Sequence, residues 1–97
     1  MSQQEIVKKI KPILRKQGVK KAALFGSVAR GDNKKNSDVD ILIEPPKKFS
    51  LLDLSGLKID LEEILNKKVD ILTYDGIHPL LKDIILNEQV LFYEKRP

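Results

Sequence analysis

The sequence has 97 residues, of which 41% are hydrophobic and 33% are charged, and its formal net charge is +4. This length suffices for one small hydrophobic core and is too short for two ordinary domains, so we expect residues 1–97 to form a single domain. The chain contains no cysteine and one histidine. Disulfides, thiolate metal sites and a multi-histidine zinc site within one chain are therefore excluded, and any metal ion must be held mainly by oxygen.

The distribution of apolar and charged residues also limits the location and the partners of the protein. No apolar run approaches the roughly 20 residues needed to span a bilayer, and the N-terminus lacks the basic start and apolar stretch of a secretory signal. We therefore expect a cytoplasmic protein without membrane contact. The lysines are scattered, and the two tyrosines and three phenylalanines provide little stacking surface for bases, so direct nucleic-acid binding is not expected.

The first half of the chain predicts one helix followed by two strands. Ser2 and Glu5 fit a capping box at the start of an amphipathic helix, in which Pro12 should cause a kink or a shortened first turn. Short apolar runs predict strands at residues 21–25 and 38–43. The polar, glycine-containing segment between them predicts about one helical turn and permits antiparallel pairing of the strands.

The second half predicts a crossover helix and two further strands. Ser50 can cap a helix whose apolar positions recur at the helical period: Leu51, Leu54, Leu57, Leu61, Ile64 and Leu65. A strand at 69–72 should follow it and lie parallel beside 38–43. A short helix should begin at 77–79, before an edge strand at 90–93, and its apolar residues are Leu80, Leu81, Ile84 and Ile85. These elements predict an α/β (α+β) fold, with a small mixed β-sheet and flanking helices.

Three carboxylates are expected to meet on two of these strands. Asp38 and Asp40 are two positions apart, so their side chains leave the same face while Val39 points to the opposite layer. Asp70 starts the parallel neighbour, about 4.8 Å away, and a register that places it beside Asp40 would complete a triad. Such charges repel by about 1 kcal/mol per pair at 4 Å in bulk water, which implies a bound cation. Oxygen ligands favour magnesium or manganese, and two such ions are the known device for in-line phosphoryl displacement.

A glycine and a serine follow the first predicted strand. Gly26 lets the backbone approach a ligand, and the amides of Gly26 and Ser27 could cradle a phosphate opposite Asp38 and Asp40. A glycine–serine pair after a strand is by itself more often a simple turn, and an Asp-x-Asp sequence is more often the start of a strand. Their joint occurrence in this order favours the functional interpretation. Arg30 could donate to a phosphate oxygen, and a surface pair with Asp32 is an equal alternative.

The lone histidine, His78, precedes a proline at a predicted helix start. A histidine in that place is more often a capping or packing residue than a base or a metal ligand, so we assign it no catalytic role.

The chain resembles the DNA polymerase beta-type nucleotidyltransferase superfamily, specifically its minimal prokaryotic branch, in FGSVARG at residues 25–31 and SDVDIL at 37–42. Ten residues separate Gly26-Ser27 from Asp38, as in that pattern. The resemblance implies a polymerase beta-like nucleotidyltransferase fold. It also implies that Gly26 and Ser27 hold the triphosphate, that Asp38 and Asp40 bind both metal ions, and that Asp70 matches the third carboxylate, which helps to activate the acceptor hydroxyl.

The minimal branch is similar to antitoxins that accompany higher eukaryote and prokaryote nucleotide-binding (HEPN) domain toxins. In those pairs the nucleotidyltransferase adds AMP to a tyrosine of the toxin ribonuclease. The resemblance therefore implies an antitoxin that uses ATP and two Mg²⁺ ions, with Mn²⁺ as an alternative, to modify a partner HEPN toxin.

Two other functions remain open at the level of the sequence. The chain could be a non-catalytic module that neutralises its partner by contact alone. Nucleotide transfer to a small molecule such as an aminoglycoside is a less favoured alternative, because no second domain is available to close a pocket. A homodimer could supply such a pocket.

Overall fold

The computed structural model describes residues 2–31 and 38–95. The helices and strands, in chain order, are α1 (Gln3–Lys16), β1 (Lys21–Phe25), α2 (Gly26–Arg30), β2 (Val39–Glu44), α3 (Leu51–Leu65), β3 (Val69–Thr73), α4 (Lys82–Glu88) and β4 (Val90–Glu94). A 3-10 turn at Tyr74–Gly76 follows β3. In this part of the chain, no helix combines the length and the apolar character that crossing a membrane requires.

The strands form one four-stranded mixed sheet in the order β3-β2-β1-β4. β1 pairs antiparallel with both β2 and β4, whereas β2 and β3 are parallel and are connected through α3. The predicted fold class, the parallel crossover and the final edge strand are confirmed. The crossover matters for function because it places the two strands that carry the predicted aspartates side by side.

The first helix shows the start that its sequence predicts. The Ser2 hydroxyl accepts a hydrogen bond from the Glu5 N–H, and the Glu5 carboxylate accepts one from the Ser2 N–H, which completes the capping box. The helix runs through Pro12 to Lys16. Its apolar side packs into the core through three fully buried residues, Ile6, Ile10 and Leu14. This burial fixes α1 firmly against the sheet.

The two faces of the sheet have different coverings. One face packs against α1 and α3 through the alternate strand residues Ala22, Leu24, Val39, Ile41, Ile43 and Val69, all of them fully buried. The other face carries a smaller cluster of Ala23, Leu42 and Ile77, against which Ile85 and Leu86 of α4 pack. Since side chains alternate along a strand, Asp40 and Asp70 belong to this second face.

α3 is buried along a narrower stripe than the sequence indicates. Leu57, Leu61 and Leu65 are buried as predicted, but Leu51 is 83% exposed and Ile64 is 45% exposed. Leu51 and Ile64 thus follow the helical period of the sequence but do not join the core. Positions 57, 61 and 65 repeat every four residues, so one line along the helix contacts the sheet, while Leu51 in the first turn extends beyond it.

The beginning of α4 also differs from the prediction. The helix starts at Lys82 instead of at 77–79, and the preceding residues form a turn in which the Leu81 N–H donates to the His78 carbonyl at 2.9 Å. Leu80 is 82% exposed and Ile84 is 56% exposed. The side-chain hydroxyl of Thr73 caps the 3-10 turn after β3, and the buried Ile77 is extended, so the chain packs against the sheet before a helix can form.

Candidate active site

Asp40 and Asp70 are aligned by the pairing of their strands. In the parallel register Asp40 is the partner of Asp70, and the preceding residues Val39 and Val69 are partners of each other. Both valines are fully buried on the helical side. The two aspartates therefore lie next to each other on the opposite face, as the sequence predicts, and Asp38 directly precedes β2 on the same side of the chain.

The neighbouring carboxylates affect the pKa of Asp40. Partial burial raises the pKa of Asp40, and the negative charges of Asp70 and Asp38 raise it further. The positive charge of Arg30 acts in the opposite direction on the same pKa. The site thus concentrates negative charge around a half-buried carboxyl group, which favours either a proton or a cation at that position.

The aspartate oxygens are chemically suited to a divalent cation, but their arrangement in the structure is not a complete metal site. Among residues 2–31 and 38–95, no three acidic or histidine side chains are arranged so that together they could hold one ion. Asp40 and Asp70 nevertheless occupy paired strand positions, and carboxylate oxygens are the ligands that Mg²⁺ and Mn²⁺ prefer.

Gly26 brings the backbone at the end of β1 against Asp40. Phe25 is the β1 partner of Asp40, and Gly26 follows with a φ of +71°. A Cβ atom at position 26 would overlap Oδ2 of Asp40 and would lie 3.1 Å from its Cγ. Only glycine satisfies both the positive φ and the close approach. This is the juxtaposition expected from the sequence, while the phosphate-binding roles of Gly26 and Ser27 stay predictions.

Arg30 ends α2 beside the carboxylates. Its Nη1 atom is 3.5 Å from Oε2 of Glu88 in α4, and the two side chains are 49% and 42% exposed. Asp32, its predicted surface partner, lies outside the described residues. The positive charge of Arg30 also opposes the upward shift in the pKa of Asp40, and its role toward a phosphate stays a prediction.

His78 lies apart from this site and has a local structural role. Its Nδ1 atom accepts a hydrogen bond from the Leu80 N–H at 3.2 Å in the turn before α4. This hydrogen bond agrees with the interpretation that a histidine in this place is more often a capping or packing residue.

Two polar side chains that the sequence did not single out hold elements of the site in place. Glu62 of α3 accepts a hydrogen bond from the Val69 N–H at 3.0 Å, directly before Asp70. Gln3 of α1 donates to two carbonyl groups of α2. Neither residue belongs to a motif, and the Gln3 contacts join positions 25 and 26 residues apart, so only the tertiary structure identifies them.

Similar proteins were found among families, sequences and solved structures. The profile of the family described as "Nucleotidyltransferase domain" matches residues 7–92. A proposed protein adenylyltransferase of Methanocaldococcus jannaschii is 60% identical over 90 residues, which cover 93% of this chain and 97% of that protein.

The fold of this chain is also similar to the folds of solved structures. The structure of a proposed minimal nucleotidyltransferase has a TM-score of 0.81 and 31% identity, and the match covers 93% of this chain and 95% of that chain. The structure of a tri-AMPylated Shewanella oneidensis HEPN toxin in complex with an MNT antitoxin has a TM-score of 0.75, over 96% of this chain and 73% of the matched chain. At 20% identity this second match shows a shared fold alone.

Proposed function

This chain belongs to the nucleotidyltransferase domain family and is a nucleotidyltransferase, and we propose that it transfers AMP from ATP to a hydroxyl group of a partner protein. The observation that carries this proposal is the arrangement around Asp40. Its carboxyl group is aligned with Asp70 in the sheet and contacts the backbone position of Gly26. An acidic pair directly beside a glycine backbone suits a nucleotide whose phosphates must meet both amide donors and cations.

Each part of the site receives one role. The backbone of Gly26 and Ser27 holds the triphosphate, and Asp38 and Asp40 are the carboxylates that would hold two Mg²⁺ ions, with Asp70 as the third. Bound magnesium, or manganese in its place, would supply neutralisation of phosphate charge and a lower pKa for the attacking hydroxyl. Arg30 adds a further positive charge for a phosphate oxygen.

The reaction is an in-line displacement at the α-phosphorus of ATP. The acceptor hydroxyl oxygen forms a bond to this phosphorus, and the bond from the phosphorus to the oxygen that bridges to the β-phosphate breaks. Pyrophosphate leaves, and the hydroxyl proton passes to the carboxylate of Asp70. No covalent intermediate with the protein is needed, because catalysis of this kind depends on position and charge.

We propose a tyrosine of a HEPN-type toxin as the acceptor, and an antitoxin role for this chain in the cytoplasm. The support is the shared fold with the MNT antitoxin complex and the 60% identity to a proposed protein adenylyltransferase. Asp70 is exposed and Asp40 is half-buried, so a tyrosine hydroxyl at the end of its long side chain could reach this carboxylate pair.

The test is transfer of label from α-³²P-ATP to a purified HEPN-type protein from the same genome, in the presence of Mg²⁺. We expect labelled tyrosine with the wild-type protein and a loss of at least about a hundredfold with Asp38→Asn or Asp40→Asn. Asp60→Asn is the matched control, since it removes the same charge from an exposed position of α3.

Two outcomes would contradict the proposal. Undiminished labelling in both aspartate variants would show that these carboxylates are not needed for transfer. Full neutralisation of the toxin by Asp38→Asn without any labelling would identify a protein that masks its partner by contact.

A further inference from the structure

The first turn of α1 is tied to α2 by one amide side chain. Nε2 of Gln3 donates to the carbonyl of Val28 at 2.7 Å and to the carbonyl of Ala29 at 3.1 Å. An amide nitrogen carries two hydrogens, so Gln3 uses its full donor capacity on α2. The two acceptors belong to the third and fourth of the five residues of that helix.

α2 needs such a tie because it is short and has a glycine at each end. It has five residues, from Gly26 with a φ of +71° to Arg30, and it is followed by Gly31 with a φ of +78°. Its buried residue is Val28, which is 1% exposed. Ala29 packs against the core and Arg30 pairs with Glu88 of α4, and the two Gln3 hydrogen bonds add a restraint on the backbone of α2.

The other end of the connection is rigid. Gln3 follows Ser2, which forms the capping box with Glu5, and the next turns of α1 are fixed by the fully buried Ile6 and Ile10. The position of the Gln3 backbone is therefore set by the core. The Gln3 side chain therefore connects α2 to a helix whose position is fixed by the core.

We propose that Gln3 is a positioning residue for the nucleotide. By holding α2 at Val28 and Ala29, it keeps the backbone of Gly26 and Ser27 in the orientation that places Gly26 beside Asp40. This inference rests on the proposed function, because it assumes that these two residues bind the triphosphate. Gln3 itself does not touch the reacting atoms.

The test compares variants that differ in donor capacity. Gln3→Glu and Gln3→Met both remove the two donors at similar length, one with an added charge and one without. We expect each to raise the KM for ATP by about threefold to tenfold, with kcat within about twofold of the wild type. Gln3→Lys provides donors again and should return the KM to within about twofold of the wild type.

Gln4→Glu is the matched control, because Gln4 is the exposed neighbour in the same turn and gains the same charge. A carboxylate in a first helical turn stabilises a helix, so Gln3→Glu should not unfold the protein, and the melting temperature without ligand verifies this. An unchanged KM in both donor-free variants would overturn the inference. An equal rise in KM with Gln4→Glu and no rise with Gln3→Met would overturn it too.

A second measurement separates this inference from the proposed function. Calorimetry with α,β-methylene ATP and Mg²⁺ reports nucleotide binding without transfer or an acceptor. Weaker binding by Gln3→Met than by wild type supports the inference even if the acceptor is not a HEPN protein, and equal binding overturns it. Absence of AMP transfer by the wild type would instead count against the proposed acceptor or activity.

Discussion

Gly26 lies so close to Asp40 that a side-chain carbon at position 26 would overlap Oδ2 of that aspartate. Gly31, at the other end of α2, has a φ of +78°, close to the +71° of Gly26, but among the described residues no atom lies within 4 Å of its added Cβ. The two glycines therefore share one backbone requirement and differ in the space that surrounds them.

A comparison of Gly26→Ala with Gly31→Ala should separate the effect of backbone strain at a positive φ from the effect of steric overlap with Asp40. Both should lower the free energy of unfolding by about 1–2 kcal/mol, since alanine disfavours the left-handed conformation. Gly26→Ala must also displace the Asp40 carboxylate, so AMP transfer should fall by at least about tenfold more than in Gly31→Ala. Urea unfolding and transfer rates measure the two effects, and equal transfer by both variants would contradict this account.

Asp70→Asn should stabilise the metal-free protein and weaken its response to magnesium. The substitution removes a negative charge that raises the pKa of Asp40. In EDTA at neutral pH the free energy of unfolding should rise by up to about 1 kcal/mol, as expected for a partly exposed pair. The gain in melting temperature on addition of Mg²⁺ should shrink. Asp60→Asn is the control, and a stability change of the same size there would show a general charge effect.

The stability of the metal-free protein should depend on pH through Asp40. Because its pKa in the folded state is raised, the folded protein keeps a proton that the unfolded chain has already released. This contribution to the free energy of unfolding is present below the ordinary aspartate pKa and is lost as the pH rises through the raised value. Urea unfolding in EDTA at a series of pH values should show a smaller loss in Asp70→Asn than in the wild type. Parallel profiles would mean that Asp70 does not act on Asp40.

Glu62 should contribute to stability through the start of β3. Glu62→Ala leaves the partly buried Val69 N–H without its carboxylate acceptor, which should cost about 1–3 kcal/mol. Glu62→Gln retains an acceptor oxygen and should cost less. Glu63→Ala, at the exposed neighbouring position, should stay within about 0.5 kcal/mol of the wild type in chemical denaturation. Similar values for the two alanine variants would remove Glu62 from this role.

Two leucines of α3 should differ sharply in what they contribute. Leu61 is fully buried, so Leu61→Ala should lower the free energy of unfolding by about 2–5 kcal/mol. Leu51 is 83% exposed, and Leu51→Ala should change the free energy of unfolding by no more than about 0.5 kcal/mol. Thermal and urea unfolding of the two variants check this, and a comparable loss in Leu51→Ala would mean that this residue is covered in solution.

The sheet could be predicted from the sequence because alternation and element length determine it. Val39 and Val69 had to face the helices, which left Asp40 and Asp70 on the other side, and the length of α3 required a parallel crossover. The order of the motif residues then indicated the region of the site. The sequence indicated that the backbone at Gly26 can approach a ligand, and the positive φ and the contact with Asp40 are found only in the structure.

Other features depend on tertiary contacts that periodicity does not encode. The apolar pattern through Leu80 and Leu81 predicts a helix that begins at 77–79, but the capped turn after β3 moves the helix start to Lys82. The hydrogen bonds of Gln3 and Glu62 join elements that are distant in sequence or meet only after folding.

The parallel register of β2 and β3 links the alignment of Asp40 with Asp70 to the burial of the neighbouring valines. A slip of one residue between β2 and β3 would turn Asp70 toward α1 and α3 and would expose Val69 to water. The free energy gained by burying two valines therefore also opposes every misalignment of the neighbouring acids. Mutations that weaken the hydrophobic interior should reduce the fraction of folded molecules and leave the chemistry of each remaining folded molecule unchanged.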